Sequence, residues 1–449
     1  MPATAVAVAA EQEMSADSMP KSNPKQFHVC VPEVRWKLAT RVAFRFVFIY
    51  FILYCLPSPL SFFSERPDFW YGAFWDKVVK WVSVHILGIT LTALTSPGSG
   101  DTTADYIQVL CYLALATVGA TIWTLRDRRR PNYQQLYQWL ELYVRTSLAA
   151  ILTVYGAMKV MLYQMSQPSL TRLLEPYGDS SPMGLLWTFI GASKGYSIFC
   201  GGVEMLAAIL LFVPGCATLG ALVAMGAMAN VFMLNMCYDV PVKQYSFHLL
   251  LMAIFLAAPN LRRLGELFFL GHRVELSHGV PLSSRKWLNR SWLVAQLAFG
   301  LFVTVLSLHS FYQAAHTPPP LVSTALSGIW SVDEYVVNGS IQPPLITEQA
   351  RWQRVVFNGY GASIQTMNGA LGYFRTSLDN NKKLVVLTDR DDPARKLPFH
   401  YTNSQPGTLL LTGDVDGHHV TATLRHVEAP KFLLTNRGFH WISEQPYIR

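Results

Sequence analysis

Seven largely apolar stretches of 15 to 29 residues, separated by loops that carry many of the Lys and Arg, constrain this chain more than any motif in it. At about 1.5 Å per residue, six of them, of 19 residues or more, are long enough to cross a hydrocarbon core of about 30 Å as helices, and the stretch from Gln244 to Ala258 reads as a shorter span. Inside such a core each backbone N–H and C=O must be satisfied within the protein, so the segments read as helices. They run from Leu38 to Leu56, Tyr106 to Leu125, Leu140 to Tyr163, Leu185 to Val213, Ala217 to Cys237, Gln244 to Ala258 and Ser291 to Ser310. Basic flanks put the N-terminus and the RDRRR cluster at Arg126–Arg130 on the inner side, as they do the basic loop after span six. The stretch Phe74–Leu91, with Trp75 and Trp81, alternates charged and apolar residues at helical spacing and reads as an amphipathic helix on the outer surface.

Of 449 residues, 51% are hydrophobic and 14% charged, the composition of an integral membrane protein. The net charge of +8 sits at helix ends, where it orients a membrane protein, so nucleic-acid binding is not expected. The six cysteines form no CxxC, which argues against a dithiol active site. No Walker loop, Rossmann fingerprint, GxSxG or HExxH occurs.

Residues 1–35 read as a disordered tail, 36–130 as two spans with the interfacial helix, 131–262 as a four-helix bundle, and 263–316 as an inner loop and seventh span. Residues 317–449 change texture: short alternating runs such as WQRVVF and KLVVLT, separated by NG, DNN, QPG and DG, predict a small antiparallel sandwich or barrel on the outer side. His400, His418, His419, His426 and His440 within it lack ligand spacing, so no metal site is expected.

Polar residues inside apolar spans carry the functional reading. Span four holds Lys194 and Glu204, with Ser193, Ser197, Cys200 and Gly201 on the stripe of Glu204, and Gly191 and Gly195 form a GxxxG. Span three carries Arg145, Tyr155, Gly156 and Lys159 on one face. An intramembrane charge is costly unless it faces protein or water. Counting depth along two antiparallel helices pairs Arg145 with Glu204 as a buried ion pair that locks the helices, and puts Lys159 level with Lys194. The expected ligand-binding set is Lys159, Lys194, Tyr155, Asn230, Asn235, His248 and Asp239, a pocket open to the outside for an anion, a quinone carbonyl or a headgroup. Asp101, Asp105, Asp179 and Asp239 fall on three outer loops, where capping is the expected role of Asp105 and Asp179.

Two segments give a resemblance. Tyr155–Gln164, YGAMKVMLYQ, and Gly201–Val223, GGVEMLAAILLFVPGCATLGALV, resemble the first helix ending and the Gly-rich, Glu-bearing second helix of DoxX-like membrane proteins. That resemblance covers about a quarter of the chain and implies a four-helix membrane bundle. Some members are tied to quinone-linked sulfur oxidation and others to envelope redox maturation. Lys159 and Glu204 match the family pattern, whereas the two preceding spans, the following span and the β domain depart from it. Gly328-Ile329-Trp330 and Arg437, with DVDGHHVTATLRH between them, resemble a lipocalin-type barrel. These features point to a bacterial inner-membrane protein with a periplasmic C-terminal domain, surrounded by membrane lipids and binding a lipophilic or anionic molecule, with quinone as the implied cofactor. The rival readings are a transporter or lipid-handling protein, and a non-enzymatic scaffold with a periplasmic protein partner.

Overall fold

The structure, a computed structural model, describes residues 35–56, 58, 60–63, 66–91, 98–271, 285–317, 326–359, 361–428, 432–446 and 448. Most of the expected disordered tail, the middle of the basic loop and the Pro linker lie outside the described residues.

Among the described residues ten α-helices precede the strands: α1 (Leu38–Cys55), α2 (Arg66–His85), α3 (Thr103–Arg126), α4 (Gln134–Val160), α5 (Leu170–Leu174), α6 (Pro182–Ala192), α7 (Lys194–Phe212), α8 (Ala217–Cys237), α9 (Lys243–Leu270) and α10 (Lys286–His316). Six of them, α1, α3, α7, α8, α9 and α10, are long and apolar enough to cross a membrane. Of the other two long helices, α2 has 20 residues, and α4 has 27 and carries Glu141, Arg145 and Lys159. Helix α4 tolerates those charges because it is the axis of the helical body, packed on α1, α7, α9 and α10, with Val144, Leu148, Ala149, Ala150 and Leu152 fully buried.

The single span expected from Leu185 to Val213 is two helices. Ser193 is extended (φ −113°, ψ 103°) and its side chain caps α7 by accepting from the Tyr196 amide. The expected GxxxG divides across this break. A Cβ on Gly191 would come within 2.2 Å of the Ser166 carbonyl oxygen, whereas Gly195 faces open space. Gly191 therefore serves the passage of the 161–168 segment, not a helix pair. Span three stops at Val160, short of Tyr163, and Leu162 just beyond it adopts a left-handed φ of 58°. Span six runs twelve residues past its expected end, through Pro259, and closes on the left-handed Gly271.

The closest helix contact is α4 on α7. A Cβ on Gly156 would lie 2.8 Å from the Gly201 carbonyl oxygen, and one on Gly201 would lie 2.5 Å from that of Gly156. This pair of glycines sets the register of the two helices. The helix beginning at Arg66 packs against α3 through Val79 on Ala104 and Ile107, and through the edge of Trp75 on Tyr112 at 4.6 Å.

The C-terminal part is an antiparallel β-barrel, the second of the two expected forms. Its strands are β1 (Gly328–Val337), β2 (Ser340–Ile341), β3 (Trp352–Asn358), β4 (Gly361–Thr366), β5 (Leu371–Asp379), β6 (Leu384–Asp389), β7 (Lys396–Gln405), β8 (Thr408–Val415) and β9 (His418–Val427), followed by a short helix α11 (Leu433–Asn436). Neighbours pair in sequence order, β9 returns to β1, and β2 is a stub on β1, so eight strands close the ring. Closure removes the exposed edges that an open sheet would present. The NG and DG signals lie where tight hairpins need them: Asn338-Gly339 and Asp416-Gly417 all have positive φ. Alternate residues, among them Val355, Phe357, Leu387, Phe399, Leu409 and Leu411, fill the interior. Trp330 donates its indole N–H to the Leu326 carbonyl and meets His426 edge-on at 5.0 Å. The barrel sits against α5, where Asn358 donates to the Thr171 hydroxyl at 2.6 Å and Thr171 is 2.9 Å from Ser363 Oγ.

Candidate functional site

The α4–α7 register brings together two charges that depth counting had separated. Lys159 Nζ donates to both oxygens of Glu204, at 2.9 and 2.8 Å, and both residues are buried. The expected Arg145–Glu204 pair does not form. Arg145 instead donates from Nη2 to Gln296 Oε1 on α10 at 3.0 Å. The cause is the close approach of α4 to α7: Lys159 lies against Gly201, whose missing side chain leaves it room, and its long side chain reaches Glu204 one turn further along α7.

This ion pair borders a cavity of about 250 Å³ between α4, α6, α7, α8 and α9. Its walls are mainly apolar, from Trp187, Phe189, Phe199, Met228, Val231 and Leu249, with polar groups from Tyr155, Lys159, Gln164, Glu204, Asn230, Asn235, Tyr245 and Ser246. Of the ligand-binding set read from the sequence, Tyr155, Lys159, Asn230 and Asn235 line it. Asn235 is tied down, donating to Ser246 Oγ at 3.0 Å. Lys159 lies 5.7 Å from the Tyr155 ring centroid, within reach of a cation–π contact.

The other three members lie elsewhere. Lys194 is exposed as the first residue of α7, because the break at Ser193 turns an expected mid-span position into a helix start. His248 points to the opposite side of α9, where Nε2 meets Tyr50 OH at 2.5 Å and the ring stacks on Tyr54 at 4.1 Å. Asp239 adopts a left-handed φ of 51° and accepts from Lys243 Nζ at 2.8 Å on the surface. The sequence reading missed Gln164, whose Oε1 is buried with no hydrogen-bond partner among the described residues, and Tyr245. Gln164 lies beyond the end of α4, where helical periodicity gives no facing. Tyr155 and Tyr245, with ring centroids 5.9 Å apart, also line a second cavity of about 450 Å³ that includes Tyr54, Tyr71, Tyr112 and Gln108, and so form part of the wall between the two.

Of the three loops expected to converge, two meet. Gly100 donates its amide to the Pro241 carbonyl at 2.8 Å. Asp101 accepts from the amides of Lys243 and Gln244 at 2.7 and 2.9 Å, capping α9 from another part of the chain. Asp105 makes a capping box with Thr102 at the start of α3, as expected. Asp179 caps no α-helix; Ser181 does so for α6, and Asp179 lines a cavity of about 750 Å³ between the α5–α6 segment and the barrel. Arg172, Glu175, Arg375 and Arg390 line the same seam. Among the described residues, no three His, Cys, Asp or Glu side chains gather as metal ligands would.

Over 146 residues the chain is 34% identical to Uncharacterized protein YwoB of Bacillus subtilis (strain 168), a match spanning 32% of this chain and 87% of that protein. The chain belongs to the YwoB family. A shared stretch of 146 residues is shorter than the helical body alone, which runs from Leu38 to His316, so the family shares part of this architecture. No family model and no solved structure matches the chain.

Proposed function

We propose that this YwoB-family protein is an integral protein of the bacterial inner membrane that binds a lipophilic molecule with a polar head beside Lys159–Glu204, and that a quinone is the ligand class. The observation that carries the reading is the composition of the cavity: mainly apolar walls with a charged pair, phenols and an amide oxygen that has no partner among the described residues. The donor set fits a quinone, since Lys159 Nζ and the Tyr155 and Tyr245 hydroxyls could donate to a carbonyl, and Gln164 Oε1 could accept from the hydroxyl of the reduced form. A bound quinone would supply two-electron, two-proton redox chemistry. The protein's own part is to orient the head, keep water out with Trp187 and Phe199, and hold charge fixed next to it. The DoxX-like resemblance of Tyr155–Gln164 and Gly201–Val223 supports the same class and an envelope redox role.

A second reading, lipid handling with the barrel on the outer side, is favoured by the arginine-bearing seam between the α5–α6 segment and the barrel. One segment lines both spaces: Gln164, Leu186 and Trp187 face the apolar cavity, whereas Ser169, Arg172 and Glu175 face the seam.

Mass spectrometry of lipophilic molecules carried by the protein in mild detergent separates these readings. For a quinone, the wild type is enriched in it, and the pair of substitutions Tyr155→Phe and Gln164→Leu lowers the enrichment about tenfold at equal folded yield, the loss expected for two hydrogen bonds. A phospholipid in place of a quinone moves the reading to lipid handling, and absence of any enriched species from folded wild type overturns both.

A further inference from the structure

Arg145 is 8% exposed, and its Nε has no hydrogen-bond partner among the described residues. Among the described residues its one hydrogen bond runs from Nη2 to Gln296 Oε1, and it forms no ion pair. One turn earlier on α4, Glu141 is half-buried and likewise has no ion pair or hydrogen bond among the described residues. Both residues line a cavity of about 390 Å³ between α4, the start of α8, α9 and α10, at the end of α4 away from Lys159 and Glu204. Gln138, 8% exposed, adds a second unpartnered donor, its Nε2.

Opposite charges one helical turn apart usually close on each other. Here the two attract each other across the turn without closing a hydrogen bond, and both line a shared space with a surplus of donors on the arginine side. Buried charges are retained when something compensates them. A single anion would satisfy Arg145 and Gln138 but would be repelled by Glu141, and a single cation would meet the reverse conflict. A molecule carrying both signs a few atoms apart satisfies all three. Trp292 lines the same cavity and packs edge-on against Trp139 at 5.5 Å, an aromatic pair of the kind that sits at the level of lipid headgroups.

We propose that this cavity binds a zwitterion of the phosphoethanolamine type, its phosphate on Arg145 and Gln138 and its ammonium on Glu141. The chemistry is common to a lipid headgroup and to the free phosphoester, and it is independent of the quinone site at the other end of α4.

The test uses the full protein in nanodiscs containing equal parts phosphatidylethanolamine and phosphatidylglycerol, with retained lipid counted by native mass spectrometry. In parallel, soluble O-phosphoethanolamine is titrated by calorimetry. A lipid source predicts that the wild type retains phosphatidylethanolamine about tenfold over phosphatidylglycerol, a preference worth one matched charge. A free source predicts saturable binding of the soluble phosphoester. In either case Arg145→Gln weakens binding of the zwitterion. Glu141→Gln, which removes only the partner of the ammonium, moves the lipid ratio toward phosphatidylglycerol or lets inorganic phosphate compete with the phosphoester. A folded wild type with neither preference nor binding overturns the proposal, as does a preference that Glu141→Gln leaves unmoved.

Discussion

Two charged sites lie on one helix, 14 residues or about 21 Å apart, and they are built in opposite ways. At Lys159 the neighbouring helix supplies a carboxylate that closes the pair with two hydrogen bonds. At Arg145 the neighbouring helix supplies only the side-chain oxygen of Gln296, and the carboxylate of Glu141 on its own helix stays apart. The difference teaches what a charge in an apolar body is for. A closed pair is chiefly a fastening whose outer atoms can still face a ligand. An open pair leaves donors and a carboxylate lining a shared cavity.

The largest expected effect sharpens that contrast. Lys159→Ala leaves Glu204 buried without its partner and should cost about 3–5 kcal/mol of stability. Replacing both partners with apolar residues of similar size, Lys159→Met with Glu204→Leu, should be close to neutral, because desolvation and attraction are removed together. Thermal unfolding in detergent, followed for both variants, checks this. Equal destabilisation by the single and double changes would mean that the pair does not act as a unit.

A smaller effect is expected from the register that brings the pair together. In Gly156→Ala the new methyl would meet Met205 Cγ at 2.6 Å and the Gly201 carbonyl oxygen at 2.8 Å. The side chain can move but the backbone oxygen cannot do so without separating α4 from α7. A loss of about 1–3 kcal/mol follows from such overpacking. The loss should shrink when Lys159→Met and Glu204→Leu are already present, a coupling that a double-mutant cycle measures.

The smallest effect comes from a charge cluster in water. In the barrel, Arg395 donates to Asp416 at 2.7 and 3.0 Å and to Asp389 at 3.1 Å, with Asp416 more than half exposed. Asp389 is held below the usual carboxylate range by the amide of Asp391 and then by Arg395, and Asp416 by its hydrogen bonds from Arg395. A carboxyl group whose folded pKa is depressed contributes stability above its unfolded value near 3.9, and that contribution fades as pH falls through the folded pKa. Arg395→Ala should therefore cost under about 1 kcal/mol at pH 6 and nearly nothing at acid pH below the folded values. Hydrogen exchange of the 389–416 hairpin region in the full protein reads the difference at the two pH values. A gap between wild type and variant that does not narrow on acidification would show that Arg395 acts through packing.

The residues involved show which inferences a linear sequence supports. Apolar length and basic flanks are enough to locate six of the long helices, and the alternation of WQRVVF or KLVVLT with NG and DG is enough for a set of short antiparallel strands, because both patterns are local, whereas closure through β9 on β1 is not. The facing of Tyr155 and Lys159 on α4 was legible for the same reason: a period of 3.6 residues fixes which side of a helix a side chain occupies. Asp105 was legible as a cap because Thr102 stands three residues before it.

The partner of Glu204 was not legible, nor was the place of Lys194. Periodicity gives a side chain its direction around the helix axis but not its depth along a neighbour, and depth here depends on two non-local features: where α4 stops, at Val160, and where the next span breaks, at Ser193. His248 failed for a related reason, since a single span has two sides and only the packing of α1 decided which one it served. The sequence by itself determined where most of the helices and strands lie and the side on which Tyr155 and Lys159 of α4 face, because those follow from local hydrogen bonding and hydrophobic period. The tertiary structure alone decided that Lys159 closes on Glu204 while Arg145 turns to Gln296, because those outcomes rest on the close contact of Gly156 with Gly201 and on the packing of α10 against α4.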